Sequence, residues 1–452
     1  MNPRLRWRWE GERLLTNTLV SLNESGGRIF EYAVQLENPE EVVEAMHKEY
    51  PDVDRERISK DVRKMLENMR LWKFFVDEGA PILPINPGYV TQIKKHFNNK
   101  LSVPLGVSCE ITRRCNASCV DCFSKDPSAN PVEMDTDAWK NLIKESKDAH
   151  VFSFSFLGGE PLLREDIGEL IQSASEHQLL PSMHTNGYDL TADTVEQLAS
   201  KGLWAVRITL DGCTPETQDT FRGLEGLYHR VVNAIALLQE HGIVVQVGST
   251  LAQQTYKEVP TAMKMAAEMG ASTIVLSRIY SVGPGIYNKD LALRPEQYLE
   301  ILPELFEAAS NLNIGIQYPD IPAIYFEKTI GLDVYRQLQK MGQIEICSAG
   351  IFACNVGPQG DVTPCDVSVG VSLGNVQEQS LLEIWRTSPV LEHLRTLTKA
   401  QQEPCRNCRL HPVCTSGCNA LPTQIGPDGD LYSADPICYQ CFDYFRDELE
   451  VS

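Results

Sequence analysis

Fourteen cysteines that stand in groups constrain this chain more than any other feature. Cys115, Cys119 and Cys122 form a C-x3-C-x2-C run, and Cys347, Cys354, Cys365, Cys405, Cys408, Cys414, Cys418, Cys438 and Cys441 crowd the last hundred or so residues. At this cysteine content, two more at fixed offsets follow a given cysteine by chance roughly once in a thousand cases. In a secreted chain so many cysteines would suggest disulfides. The N-terminus, MNPRLRWRWEGER, instead alternates Arg with Leu and Trp and lacks the apolar stretch of a signal peptide, and no apolar run of about 18 residues occurs anywhere. The chain therefore reads as cytoplasmic with no membrane partner. In a reducing compartment grouped thiols persist and more often bind metal.

Charge narrows the partners further. Lys and Arg number 41 against 61 Asp and Glu, a net −20 that works against binding a phosphate backbone, so no nucleic-acid partner is expected. A length of 452 residues with 42% hydrophobic residues excludes one small fold and a mostly disordered chain.

Patterning divides the chain. Arg4 to Glu10 alternates apolar and charged residues, and Arg13 to Leu19 reads as the returning strand of a hairpin. Pro39-Glu40-Glu41 starts a helix with Val42, Val43 and Met46 on one face, and Arg57 to Met69 repeats the spacing through Ile58, Val62 and Leu66. Pro81, Pro84 and Pro87 suggest a linker. From Leu105 strands and helices alternate: Leu105 to Glu110, Val151 to Leu157, Trp204 to Leu210, Ile243 to Thr250 and Thr273 to Tyr280 are strands, and Val231 to His241 is an amphipathic helix closed by Gly242. This order argues for a parallel sheet, open or closed into a partial barrel. Beyond about residue 340 periodicity fades, and a segment held by metal clusters rather than a large apolar core is expected.

Cys115, Cys119 and Cys122 follow the strand Leu105 to Glu110, and so lie in a strand-to-helix loop. Three thiolates on a four-iron cubane leave one iron without a protein ligand, an open corner where a cofactor binds. The run, with Gly158-Gly159-Glu160-Pro161 about 40 residues on and directly after the strand VFSFSFL, resembles the signature of the radical S-adenosylmethionine (SAM) superfamily. The resemblance implies that Cys115, Cys119 and Cys122 hold a [4Fe-4S] cluster and that Gly158, Gly159, Glu160 and Pro161 bind the amino group of SAM. It also implies SAM contacts at Thr185, Asn186, Asp211 and Arg222, which fall after the next two strands and in the Phe221-Arg222-Gly223 stretch. Taken alone, Asp211-Gly212 also reads as an ordinary turn and Arg222 as a surface ion pair. Asp121 departs from the family, many of whose members carry an aromatic residue or His before the third cysteine.

The later cysteines, Cys347-x12-Gly360-x4-Cys365, then Cys405-x2-Cys408-x5-Cys414-x3-Cys418, then Cys438, resemble the seven-cysteine SPASM extension of peptide-modifying radical SAM enzymes. The resemblance implies two auxiliary [4Fe-4S] clusters. The first would take Cys347, Cys354, Cys365 and Cys418, and the second Cys405, Cys408, Cys414 and Cys438. Spacing does not set that interleaving and does not by itself exclude a pair of four-cysteine zinc sites. Without Cys354 the first cluster would keep an open iron. Cys441, Cys109 and Cys213 fall outside the pattern and read as small buried hydrophobes. Asp366, directly after Cys365, is the candidate catalytic base by similarity to SPASM-containing sulfatase maturases. It also reads as a turn-forming Asp.

Residues 22–30, 40–43 and 61–66 resemble the PqqD-like precursor-recognition domain, in which a leader peptide adds a strand beside the third helix. Together these resemblances imply an α/β protein: a partial (β/α)6 TIM-like radical SAM barrel with an N-terminal winged-helix-like PqqD-type domain and a C-terminal iron–sulfur SPASM domain. The expected divisions are 1–78, a linker at 79–103, the barrel at 104–320 and the SPASM domain at 321–452. The implied activity is maturation of a ribosomally synthesised precursor peptide, in which a 5′-deoxyadenosyl radical takes a hydrogen and a thioether or carbon–carbon cross-link forms. Three clusters, SAM and an electron donor such as flavodoxin or ferredoxin would serve it. The alternatives are a sulfatase-type maturase oxidising a Cys or Ser, and an iron–sulfur nucleic-acid sensor.

Overall fold

The computed structural model describes residues 5–17, 20–36, 38–71, 74, 97, 100–122, 124, 132–280, 290–312, 314–344, 347–368, 370–418 and 434–450. Most of the expected linker, with its three prolines, lies outside the described residues.

The N-terminal unit is a three-stranded antiparallel sheet, β1 (Trp7–Glu10), β2 (Arg13–Thr16) and β3 (Ser21–Leu22), followed by α1 (Glu24–Gln35), α2 (Pro39–Glu49) and α3 (Arg55–Leu71). The returning strand is shorter than its pattern suggested, and β3, two residues long, carries too little alternation to be read. Asn23 caps α1 by accepting from the Gly26 N–H at 3.1 Å, and Asn38 caps α2 by accepting from Glu40. Phe30, Val43, Met46, Val62 and Met69 meet Leu14 in one apolar core. Arg8 ties the unit to the rest of the chain. Its guanidinium is buried over the Phe152 ring and donates to the carbonyls of Val103, Pro104 and His150.

The described residues form a second, ten-stranded main sheet. Its centre is the expected parallel series: β4 (Gly106–Thr112), β5 (Ser153–Gly158), β6 (Leu180–Thr185), β7 (Ala205–Thr209), β8 (Val244–Leu251) and β9 (Thr273–Arg278), with β10 (Gly315–Gln317) parallel beyond β9. Side chains alternate across it. Phe154 and Phe156 are fully buried against the helices, whereas Ser155 faces the barrel interior, 2.6 Å from the Ser182 hydroxyl on the next strand. Burying each Phe stabilises the fold by roughly 1.5–3 kcal/mol.

The C-terminal segment corrects the expectation of a cluster-held, coreless region. β11 (Ala353–Val356) pairs in parallel with β4, and β12 (Asp361–Thr363) and β13 (Gly374–Asn375) extend the sheet antiparallel. Val356, Val362, Ile384, Trp385 and Leu391 join the barrel's own apolar core. Strands of two to four residues leave no readable periodicity, which is why the sequence shows only cysteines there. Among the described residues no helix is long and apolar enough to cross a membrane.

Candidate active site

The C-terminal ends of the parallel strands converge on one face, the usual place for chemistry in a barrel. After β4 the chain runs through Cys115, Cys119 and Cys122. This loop is clamped from two sides. The Ser118 and Val120 N–H groups donate to the carbonyls of Arg222 and Phe221, at the end of helix Pro215–Arg222. On the other side, the turn after β5 packs so tightly that only glycine fits. A Cβ on Gly158 (φ +147°) would lie 2.2 Å from the Thr112 carbonyl oxygen, and one on Gly159 2.1 Å from that of Arg114.

Glu160 locks this turn to the next strand. Its carboxylate is fully buried and accepts from the Thr185 hydroxyl (2.8 Å), the Asn186 N–H (2.9 Å) and the Leu162 N–H (3.1 Å). Burial pushes its carboxyl up to about 7 even against these three donors. All three donors come from the protein, so Glu160 is a clasp between the two turns. The Asn186 side-chain amide reaches Asn116 within the cysteine loop at 2.7 Å. Pro161 opens a short 3-10 turn beneath.

Asp211 and Arg222 form the far wall. Asp211 is fully buried, accepts from Arg222 Nε at 2.7 Å and from the Thr250 N–H at 2.8 Å, and so is neither a surface turn nor half of a surface pair. Arg222 also reaches Asp121 at 3.4 Å. Burial alone would pull the guanidinium down, but Asp211, Asp121 and Cys119 together raise it well above its ordinary value. The departure at Asp121 thus has a partner: the acidic residue before Cys122 is matched by a buried cation.

A cavity of about 330 Å³ opens beside this wall, with Asp121 and Arg222 on one side and Cys347, Cys365, Asp366 and Cys418 on the other. Cys347, Cys365 and Cys418 are mutual neighbours, and burial raises the Cys365 and Cys418 thiols. Burial also raises the Asp366 carboxyl, with Arg207 the nearby cation pulling the other way. Cys354 does not come to this group. It sits on β11, in register with Val107, on the sheet face that packs in the apolar core, and its neighbours there are Cys109 and Arg395. Burial pushes its thiol up to about 12.

The second set gathers around a smaller apolar cavity lined by Cys405, Cys408, Cys414, Cys438 and Cys441. Cys441, which the spacing excluded, lies one helical turn from Cys438 on helix Pro436–Tyr444, so both face inward. Helical i,i+3 spacing after Pro436 was the signal that could have found it. The hydrogen bond with Cys438 pushes the Cys405 thiol down to about 7.

Do these residues suit iron–sulfur clusters? The later cysteines line the two cavities. Cys115 is an exposed residue whose sulfur is partly desolvated, which holds its thiol up at about 11, and burial raises Cys119 as well, so these thiols ionise when a metal takes the proton's place. The donor set fits.

Comparison with known families agrees with this geometry. The model described as "Radical SAM superfamily" matches residues 109–266, the SPASM model, described as "Iron-sulfur cluster-binding domain", matches 347–409, and that of "Coenzyme PQQ synthesis protein D (PqqD)" matches 12–71. Three family models thus fall on the chain in order, a PqqD domain, a radical SAM domain and a SPASM segment. Relatives include a PqqA peptide cyclase of Granulibacter bethesdensis (26% identical over 74% of this chain and 87% of that protein) and an AdoMet-dependent heme synthase of Methanosarcina barkeri (28%, over 75% and 97%). Mycofactocin maturase MftC of Mycobacterium tuberculosis is 27% identical over 78% of this chain and 87% of its own length. Among solved structures, Streptococcus suis SuiB bound to its precursor peptide SuiA shares the fold over 97% of this chain and 99% of that one, with a TM-score of 0.68 at 19% identity.

Proposed function

We propose that this chain is a radical SAM maturase that cross-links a ribosomally synthesised precursor peptide. The observation that carries this is the cavity bounded by the Cys115–Cys122 loop and its Asp121–Arg222 wall on one side and by Cys347, Cys365, Cys418 and Asp366 on the other. A PqqD domain at the N-terminus separates the chain from a heme synthase reading, and the peptide cyclase and maturase relatives support the same choice.

In this reading Cys115, Cys119 and Cys122 would hold the [4Fe-4S] cluster that, when loaded, supplies the electron for splitting SAM to a 5′-deoxyadenosyl radical. Gly158 and Gly159 let the backbone approach SAM closely, and Glu160 with Thr185 and Asn186 fixes the turn that does so. Asp211 and Arg222 brace the cysteine loop on the side away from the glycines. Cys347, Cys365 and Cys418 would hold the first auxiliary cluster and Cys405, Cys408, Cys414 and Cys438 the second, three in all. With Cys354 turned into the core, the first has a corner free for a substrate thiolate, which favours a thioether product. Asp366, which lines the same cavity, would take the substrate thiol's proton as its sulfur binds the cluster. A flavodoxin or ferredoxin would deliver the electrons.

The leader docks on β3. Thr16 donates to the Val20 carbonyl at 3.0 Å, so in the next pair, Leu15 with Ser21, the Ser21 main chain turns away from β2 toward the edge that has no partner strand among the described residues. The opposite strand, β1, lies on the side where Arg8 engages the barrel. Ser21→Pro removes the edge donor and is expected to weaken precursor binding about tenfold, measured by anisotropy of a labelled peptide. Deoxyadenosine formation should stay at its parent rate. Unchanged peptide affinity would contradict docking at this edge.

A further inference from the structure

Lys399 is out of place for a surface lysine. It opens the 3-10 turn Lys399–Gln401, six residues before Cys405, yet its side chain turns inward and lines the second cysteine cavity. The charges it faces are those of Cys438, Cys405, Cys414 and Asp435. A Cβ built on Gly417 (φ +98°) would lie 3.0 Å from Lys399 Nζ and 3.3 Å from Cys438 Sγ. The ammonium and the sulfur thus share a gap that stays open only because residue 417 is glycine. Lys side chains at surfaces send the ammonium to water; this one sends it to thiols. The neighbouring cations are otherwise engaged, Arg409 with Glu327 at 3.0 Å and Arg278 with Asp320 and Asp435.

We propose that Lys399 is a charge-compensating positioning residue of the second auxiliary site, and that it holds the reduction potential of a cluster there above the value four thiolates alone would set. The proposal rests on the reading of Cys405, Cys408, Cys414 and Cys438 as cluster ligands. The physical reason is simple. A cubane on four thiolates is already anionic and gains a further negative charge on reduction, so a fixed cation beside the sulfurs stabilises the reduced form more than the oxidised one. Poor solvent access enlarges the difference. A raised potential suits a site that must accept an electron after a cross-link forms.

The test uses the full chain, reconstituted without oxygen, with iron and sulfide counted and potentials titrated by electron paramagnetic resonance. Cys408→Ala identifies which signal belongs to the second site. If it retains all the parent's iron, the ligand reading itself fails. With that reading intact, Lys399→Met and Lys399→Gln should keep their iron and shift that signal alone to lower potential by at least a tenfold change in the redox equilibrium, 59 mV for one electron. Lys399→Arg should restore it. Loss of the cluster in both neutral variants but not in Lys399→Arg would lead to the same conclusion, since only the charge distinguishes them. Unmoved potentials in iron-replete neutral variants, or equal iron loss in all three, would overturn it.

Discussion

Gly159→Ala is expected to lower deoxyadenosine formation from SAM by ~100-fold, because the new methyl cannot be accommodated without moving the cysteine loop. Its Cβ would sit 2.1 Å from the Arg114 carbonyl oxygen and 2.6 Å from the carbonyl carbon, and Arg114 directly precedes Cys115. These are backbone atoms, so no rotamer change relieves the clash. The turn and loop are also tied by the hydrogen bonds Gly159 N–H to Thr112 and Glu160 N–H to Arg114, each 2.8 Å. Separating the two strands of chain by even an ångström breaks both and carries Cys115 away from its partners. Product analysis under reducing, oxygen-free conditions reads the effect; activity within a few-fold of the parent would mean that the turn and loop move independently.

Arg278→Met should destabilise the chain by about 3–5 kcal/mol, the range for removing one partner of a buried ion pair. Arg278 ends β9 with its side chain 3% exposed, and its fork engages Asp320 at 2.8 and 3.1 Å and Asp435 as well, over the Tyr280 ring. Asp435 in turn accepts from the Cys418 N–H at 2.8 Å and the Ile437 N–H at 3.0 Å. One guanidinium therefore holds both the loop of Cys418, in the first auxiliary group, and the start of the helix that carries Cys438, in the second. Without it two buried carboxylates lose the cation they share. A lowered urea midpoint of the cluster-free chain checks the energy, and Arg278→Met, Asp435→Asn should recover part of it. An unchanged midpoint in the single variant would show that the network carries no stability.

The parts of this molecule that local patterns encode were legible. Parallel strands buried against helices show as VFSFSFL and its counterparts, and the cysteine run and glycine turn stand at strand ends because backbone sterics require them there. What was not legible depends on distant residues. Cys354, an eighth cysteine inside the first interval of the seven-cysteine pattern, read as a possible ligand, but its register opposite Val107 turns it into the core, and register is a property of the sheet. Asp121 stood out as a departure, while its partner Arg222 lies a hundred residues away. Arg278, Asp320 and Asp435 come from three separate stretches, and Lys399 reveals its role only beside Gly417. Long-range charge pairing leaves no periodic trace.

Whether the loop after β4 truly powers the chemistry is decided most directly by one assay. The chain with Cys115, Cys119 and Cys122 all changed to Ala, reduced and incubated with SAM in the absence of oxygen, should release no deoxyadenosine while keeping the iron held by the C-terminal cysteines. Release at the parent's rate would show that SAM is split somewhere else, and the assignment of this face as the active site would fall.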